Sequence, residues 1–163
     1  MIVSHAARIA AAVVLATALT STVQAAGFIQ QPANEKARQR LMPVSNDPVW
    51  ALLGKTPVQA DVARGVFTAQ PPPEVQALDG REMSVTGFML PLDPSPVFTH
   101  FLLTRNTPVC PFCPPGEPNE VIEVYTFDAM KPTDRLITVH GRFSLQQNGG
   151  VGLFFRLDKA GVS

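Results

Sequence analysis

The sequence predicts an all-β fold, a small antiparallel OB-like barrel of about five strands with a short helical N-terminal segment. Two observations support this prediction. Short β-type runs follow one another from about residue 81 onward, and turn residues separate them. The helical patterns are short, and the clearest of them lie before residue 60. A small β-sandwich is the alternative arrangement of the same strands.

The first β-type run alternates between apolar and polar side chains. Met83 and Val85 share one face and Ser84 and Thr86 the other, which is typical of a half-buried strand. The next run is apolar on both faces. The five strands are predicted at 81–90, 97–104, 120–127, 136–145 and 151–157. The predicted core positions are the large apolar residues on these strands: Phe88, Phe101, Val124, Phe143 and Phe155.

Turn and cap residues delimit the remaining elements. Asp79-Gly80 and Asn148-Gly149 predict tight turns, because these residue types tolerate positive φ. A short helix is predicted over Asn34–Leu41, and a second begins after the N-cap Asp47 and docks Trp50. A weaker helical pattern covers 128–135.

The first 25 residues have the three-part layout of a secretory signal peptide. Arg8 precedes an apolar stretch, Ile9–Leu19, and small side chains occupy positions 23 and 25. That stretch is too short to span a membrane. The sequence therefore predicts cleavage after Ala25, a periplasmic location and no membrane insertion of the mature protein. The predicted organisation is a signal peptide (1–25), an N-terminal extension with short helices (26–63) and the OB-like domain (64–163).

Charge and motifs exclude several classes of function. The formal net charge is zero, and removing the signal takes away Arg8 alone, so the sequence predicts no binding to nucleic acid. The sequence contains no Gly-rich phosphate loop, G-x-S-x-G turn or H-E-x-x-H helix. Its carboxylates are scattered, and the prediction is that the protein is not an enzyme.

The most informative segment is the proline-rich loop at 107–118, which carries Cys110 and Cys113 in a C-x-x-C spacing. Proline fixes φ and removes the backbone donor, so this loop is stiff and neither helical nor an inner strand. Covalent haem attachment would require His after the second cysteine, where Pro114 stands. A thioredoxin-like dithiol would require a following helix, which Pro114 and Pro115 disfavour.

Three interpretations of the two cysteines stay open. One is a transition-metal site for zinc or copper, since thiolates suit both ions. The mature chain offers Cys110, Cys113, His100 and His140 for such a site. A second is a structural disulfide between Cys110 and Cys113 in an inert interaction domain. The third is a thiol–disulfide oxidoreductase.

Four segments resemble an uncharacterised family of small exported bacterial proteins that carry a domain of unknown function. They are Val85–Leu92 (VTGFMLPL), His100–Leu103 (HFLL), Cys110–Glu120 (CPFCPPGEPNE) and Gly152–Leu157 (GLFFRL). The resemblance covers about residues 64–159. It implies an OB-like barrel in the periplasm and a non-enzymatic accessory role, for some members beside ABC transporters for metal uptake or envelope maintenance. An ABC-transporter or envelope protein is therefore the partner that the resemblance implies.

Overall fold

A computed structural model describes residues 33–109, 116–146 and 150–163 of the chain. Its elements in chain order are α1 (Ala33–Gln39), α2 (Pro48–Leu53), β1 (Val58–Asp61), β2 (Val66–Ala69), α3 (Pro73–Gln76), β3 (Glu82–Pro91), β4 (Phe98–Thr104), a 3₁₀ turn (Pro118–Glu120), β5 (Val121–Met130), β6 (Leu136–Leu145) and β7 (Phe155–Val162). Among the described residues, no helix is long and apolar enough to cross a membrane.

The last five strands close into a barrel, which confirms the predicted fold class. Around the barrel they follow the order β3-β4-β5-β7-β6, and β6 pairs back to β3. The pairings are antiparallel except that of β5 with β7, which is parallel. Closure pairs most backbone groups that an open sheet would leave exposed at its edges.

The predicted core positions are all buried. Phe88 is 5% exposed, and Phe101, Val124, Phe143 and Phe155 are completely enclosed. The apolar face of α2 enters the same core, where Trp50 and Leu53 join the barrel residues in one cluster. The N-terminal segment is therefore packed as part of the barrel domain.

The close approach of β4 to β3 explains why the long strand β3 contains a glycine, Gly87. A Cβ atom at this position would lie 2.8 Å from the carbonyl oxygen of Thr104 and 2.9 Å from Cγ of Leu103. Real Cβ atoms do not approach other atoms this closely, so only glycine lets β4 pack against β3 here.

The edge of β3 is completed by the N-terminal segment. Thr86 pairs with Thr138 of β6, and their hydroxyl oxygens are 2.9 Å apart. The backbone N–H of Thr86 donates to Asp47 Oδ2 (2.8 Å), and its carbonyl accepts from Trp50 Nε1 (2.7 Å) and the Ser45 hydroxyl (2.5 Å). Both backbone groups of Thr86 therefore point away from β6, as they do in a non-hydrogen-bonded antiparallel pair.

One element that the sequence analysis did not predict is the β1–β2 hairpin. The predicted boundary between residues 63 and 64 falls inside its turn, where Asp61 Oδ1 accepts from the amide of Arg64 and Gly65 has φ 65°. The two strands have four residues each and are only partly buried, so no periodic pattern marks them.

The predicted bounds of three other elements need correction. Residues 128–130 continue β5 instead of starting a helix, because Met130 pairs with Phe98 of β4. The last strand is Phe155–Val162 instead of 151–157, and α3 forms after residue 60. The predicted turn at Asn148-Gly149 lies outside the described residues.

Truncation of Phe101 tests the barrel core. Phe101 is fully buried and contacts Phe98 edge-to-face, with ring centroids 6.0 Å apart. We expect Phe101→Ala to lower the free energy of unfolding by about 3–5 kcal/mol in denaturant titrations. The truncation leaves a cavity that the surrounding barrel residues can fill only in part. The control Val62→Ala changes a side chain that is 79% exposed and should cost less than about 0.5 kcal/mol. Equal losses in the two variants would contradict this packing.

Candidate functional site

The loop that carries both cysteines joins β4 to the 3₁₀ turn that precedes β5. Cys110 and Cys113 lie outside the described residues, so the predicted metal ligation and the alternative disulfide between them both fall there. The two ends of the loop, 105–109 and 116–120, are described. We call these two ends the loop base.

The side chain of Glu120 clamps the loop base. Its Oε1 accepts from Arg105 Nη1 at 2.8 Å, and its Oε2 accepts from Asn106 Nδ2 at 2.9 Å and from the amide of Glu117 at 3.3 Å. The Arg105 amide also donates to the Glu120 carbonyl at 3.0 Å. The Glu120 carboxylate therefore binds both ends of the loop base, Arg105 and Asn106 on one side and Glu117 on the other. A Cβ atom at Gly116 would lie 2.6 Å from both Asn106 Nδ2 and Glu120 Oε2, so the clamp also needs this glycine.

The N-terminal segment braces the loop base from a second side. The Ser45 amide donates to the Arg105 carbonyl at 2.8 Å, and the Thr107 hydroxyl donates to the Pro43 carbonyl at 2.6 Å. Asn119 Nδ2 donates to a backbone carbonyl at the end of α2, 3.3 Å away. The loop therefore leaves the barrel from a base that is fixed on both sides.

A cleft of about 550 Å³ opens beside the loop base. Its walls come from the end of β3, the start of the cysteine loop and the β5–β6 connection. Val109, the residue before Cys110, lines this cleft together with Met89 and Pro132. Residues 107–109, which lead into the cysteine loop, thus run along an open, largely apolar surface.

His100 lies on β4, four residues before the end of the strand that leads into the loop. Its Nε2 is 2.9 Å from Glu123 Oε1, and its ring stacks on Tyr125 with centroids 4.2 Å apart and planes at 6°. The Tyr125 hydroxyl donates to the same Glu123 oxygen at 3.2 Å. His100 is thus a half-exposed residue that is hydrogen-bonded to Glu123, about 13 Å along the strand from the end of β4.

His140 occupies a different part of the barrel. It is exposed on β6, opposite Gly161 of β7. A Cβ atom at Gly161 would lie within 2.5 Å of His140 Nε2, so the imidazole covers this glycine. The His140 imidazole occupies the space that a side chain at position 161 would fill.

The structure does not bring the two predicted histidine ligands together. In one direction around the barrel β5 and β7 lie between β4 and β6, which is three strand spacings or about 14 Å around the sheet. In the other direction β3 intervenes, with His140 at the level of Ser84 and Phe101 at the level of Pro91. One metal ion cannot contact both imidazoles. Within the described ranges, no three His, Cys, Asp or Glu residues form a group that could hold a metal ion.

A second cleft, of about 580 Å³, lies on the outer face of β5, β6 and β7. We call it the outer cleft, and it is lined by Tyr125, Thr126, Phe127, Arg142, Arg156, Asp158 and Lys159. Arg156 Nε donates to Asp158 Oδ2 at 3.0 Å, and the Ser144 hydroxyl donates to the same oxygen at 3.2 Å. The Arg156 guanidinium carbon is 5.9 Å from the Tyr125 ring centroid.

Sequence reasoning missed Glu120 and the outer cleft. The spacing of Glu117 and Glu120 around Pro118 is a capping-box pattern, and the structure forms that box. That signal could have identified Glu120. The outer cleft depends on the register between β5, β6 and β7, which no local pattern specifies.

Comparison with known proteins confirms the predicted resemblance to a family of unknown function. The family described as "Protein of unknown function (DUF3299)" matches residues 55–150. A crystal structure of a DUF3299 family protein from Pseudomonas aeruginosa PAO1 is similar, at 24% sequence identity and a TM-score of 0.50. That alignment covers 70% of this chain and 91% of the other. At this identity the similarity supports the barrel fold alone. No curated protein matches the chain.

Titration of Tyr125 tests its contacts with Glu123 and His100 directly, because it is the only tyrosine in the chain. Desolvation raises the pKa of Tyr125 above its ordinary 10.0, and the negative charge of Glu123 raises it further. Tyrosinate absorbance should therefore show a midpoint above 10.0 in folded protein. Glu123→Gln should lower the midpoint, and the control Glu82→Gln should not.

The same shift has a consequence for stability. Because the folded pKa of Tyr125 is raised, the neutral phenol stabilises the fold below pH 10.0, and this contribution is lost as the pH rises through the folded pKa. A folded midpoint at or below the one measured in denaturant would contradict the geometry of Tyr125 and Glu123.

Proposed function

This chain belongs to the DUF3299 family, and we propose that it is an exported, non-enzymatic accessory protein that uses its cysteine loop to bind a transition metal, zinc or copper. The observation that supports the proposal most is the clamp at the loop base. Glu120 and the N-terminal segment together restrain both ends of the segment that holds Cys110 and Cys113.

Restraint of the loop favours metal binding for an entropic reason. Ordering a flexible residue costs about 1–2 kcal/mol of backbone entropy, and a loop whose two ends are already held has less to lose on binding. Prolines within the loop and the Glu120 carboxylate at its base both reduce this cost. Thiolates at C-x-x-C spacing then supply soft ligands that suit Zn²⁺ or Cu(I).

The two cysteines carry the proposal, and the histidines have smaller roles. His100 Nε2 is paired with Glu123, which is the second-sphere arrangement common for a histidine that ligates metal through its other nitrogen. His100 is therefore the additional ligand that we propose. His140 lies across the barrel from His100 and is not part of the proposed site.

The other parts of the proposal follow from the sequence. We propose cleavage of the signal after Ala25, a periplasmic location and an ABC-transporter or envelope protein as partner. The contacts that fix the loop base would give such a partner a defined point of attachment on the barrel.

Metal uptake by anaerobically reduced protein tests the proposed function. We expect one Zn²⁺ or Cu(I) per chain by elemental analysis, no uptake by Cys110→Ser, and weaker uptake by His100→Ala than by His140→Ala. Glu120→Ala should keep the stoichiometry and weaken affinity by about tenfold, because the loop must then be ordered on binding. Glu82→Ala, on the exposed start of β3, is its matched control. Affinity should fall at acid pH, since the thiols must deprotonate to ligate.

Two outcomes would assign the cysteines differently. A constitutive disulfide with no uptake after reduction would support the structural alternative, for which the Cys110→Ser variant should lose about 2 kcal/mol of stability. Reduction of a test disulfide substrate in an assay that depends on both cysteines would support the oxidoreductase alternative.

The export part is tested separately. N-terminal sequencing of the protein from a bacterial periplasmic extract should begin at Ala26 or within about two residues of it, because small residues precede this bond at the signal-peptidase positions. Recovery of the chain with Met1 intact in the membrane fraction would contradict export through a cleaved signal.

A further inference from the structure

The outer cleft lies on the outer face of β5, β6 and β7, apart from the loop base, and none of its lining residues belongs to the loop base. We propose that it binds an acidic saccharide, a mono- or disaccharide with a carboxylate. Its volume of about 580 Å³ lies within the range of sites for small molecules. OB folds bind oligonucleotides and oligosaccharides on the face of their second and third strands, and the outer cleft shares the third of these, β5, and extends from it over β7 and β6.

Two aromatic side chains give the cleft an apolar surface. Phe127 is 71% exposed, which leaves its ring open to a ligand. Tyr125 is held from the β4 side by His100 and from the β7 side by Arg156. Because His100 and Arg156 cover the Tyr125 ring, Phe127 is the ring on which the apolar face of a sugar can pack.

The cations of the cleft are only partly neutralised. Arg156 is paired with Asp158 through Nε. Arg142 and Lys159 are exposed, and neither side chain forms a hydrogen bond or ion pair with another described residue. Arg142 lies between two register partners that are acidic, Glu82 on β3 and Asp158 on β7, but its guanidinium is ion-paired with neither. A guanidinium that is not ion-paired is well suited to bidentate binding of a carboxylate.

Lys159 is placed in the cleft by a β-bulge. His140 pairs with Gly161 and Arg142 with Asp158, so β7 has two residues where β6 has one. Lys159 is one of these two, and it has φ 51°, a left-handed conformation that disfavours residues with a side chain. Glycine would satisfy the backbone better, which indicates that the ammonium group has a role in the cleft.

Asp158 distinguishes a sugar from a simple anion. Its Oδ2 accepts from Arg156 and Ser144, whereas its Oδ1 accepts no hydrogen bond from any described residue. A carboxylate oxygen in a cationic cleft repels a bare anion but accepts a hydrogen bond from a hydroxyl group. A ligand with both an acid group and hydroxyl groups satisfies all of these side chains.

Overall charge favours saccharide over nucleic acid. The formal net charge of the chain is zero, so there is no broad positive field to attract a polyanion. The charge in the outer cleft is local and suits one or two acid groups.

Calorimetric titration of the mature protein tests the proposal, with digalacturonate as the probe, neutral galactobiose as its uncharged counterpart and adenosine monophosphate as a nucleotide. Digalacturonate should bind at least about tenfold more tightly than either of the others. Phe127→Ala and Arg142→Gln should each weaken it by about tenfold, and Tyr125→Phe should not. Lys131→Gln and Arg135→Gln, in the β5–β6 connection away from the cleft, are the matched controls.

Lys159→Gly separates binding from folding. It should weaken digalacturonate binding while leaving Tm unchanged or higher, because glycine removes the strain at φ 51°. Three results would each overturn the proposal: no binding of digalacturonate at millimolar concentration, equal binding of galactobiose, or tighter binding of the nucleotide. Loss of affinity in the two control variants as large as in Arg142→Gln would also overturn it.

Discussion

The constraint on which the rest of the structure depends is the exposed edge of β3. Between residues 82 and 87 this strand pairs only with β6 among the described strands, and it meets β4 from Phe88 onward. The backbone of Thr86 would otherwise present an unpaired donor and acceptor to water or to another chain. Asp47 and Trp50 satisfy both groups. The N-terminal segment is therefore required to complete the barrel wall.

This edge cover also determines where the cysteine loop begins. The chain that binds Thr86 through Ser45 also pairs with Arg105, immediately after β4. Glu120 then ties Arg105 to the start of β5. Contacts at the edge of β3, at the loop base and at the entry to β5 form one continuous hydrogen-bonded region. Ser45 and Arg105 are the two residues that connect Thr86 to the cysteine loop.

Much of the barrel could be predicted from the sequence, because alternation and apolar runs report burial directly. Phe101 and Phe143 were predictable for this reason. The end of β7 was not, because the bulge at Lys159 breaks the alternation that marks a strand. The grouping of His100 with His140 failed for a different reason: composition shows that two imidazoles exist, whereas their separation depends on strand order and register, which are tertiary properties.

Strand β5 links the two surfaces that carry the proposals. It begins directly after Glu120 at the loop base and reaches Phe127 at the outer cleft, about 23 Å further along at the rise of a β-strand. Between them, Val124 is fully buried in the core, and Glu123 is held by His100. A strand paired on both sides and anchored in this way transmits little local motion. Occupation of the outer cleft should therefore leave the loop base unchanged, and the stacked pair of His100 and Tyr125 is where the two proposed sites meet.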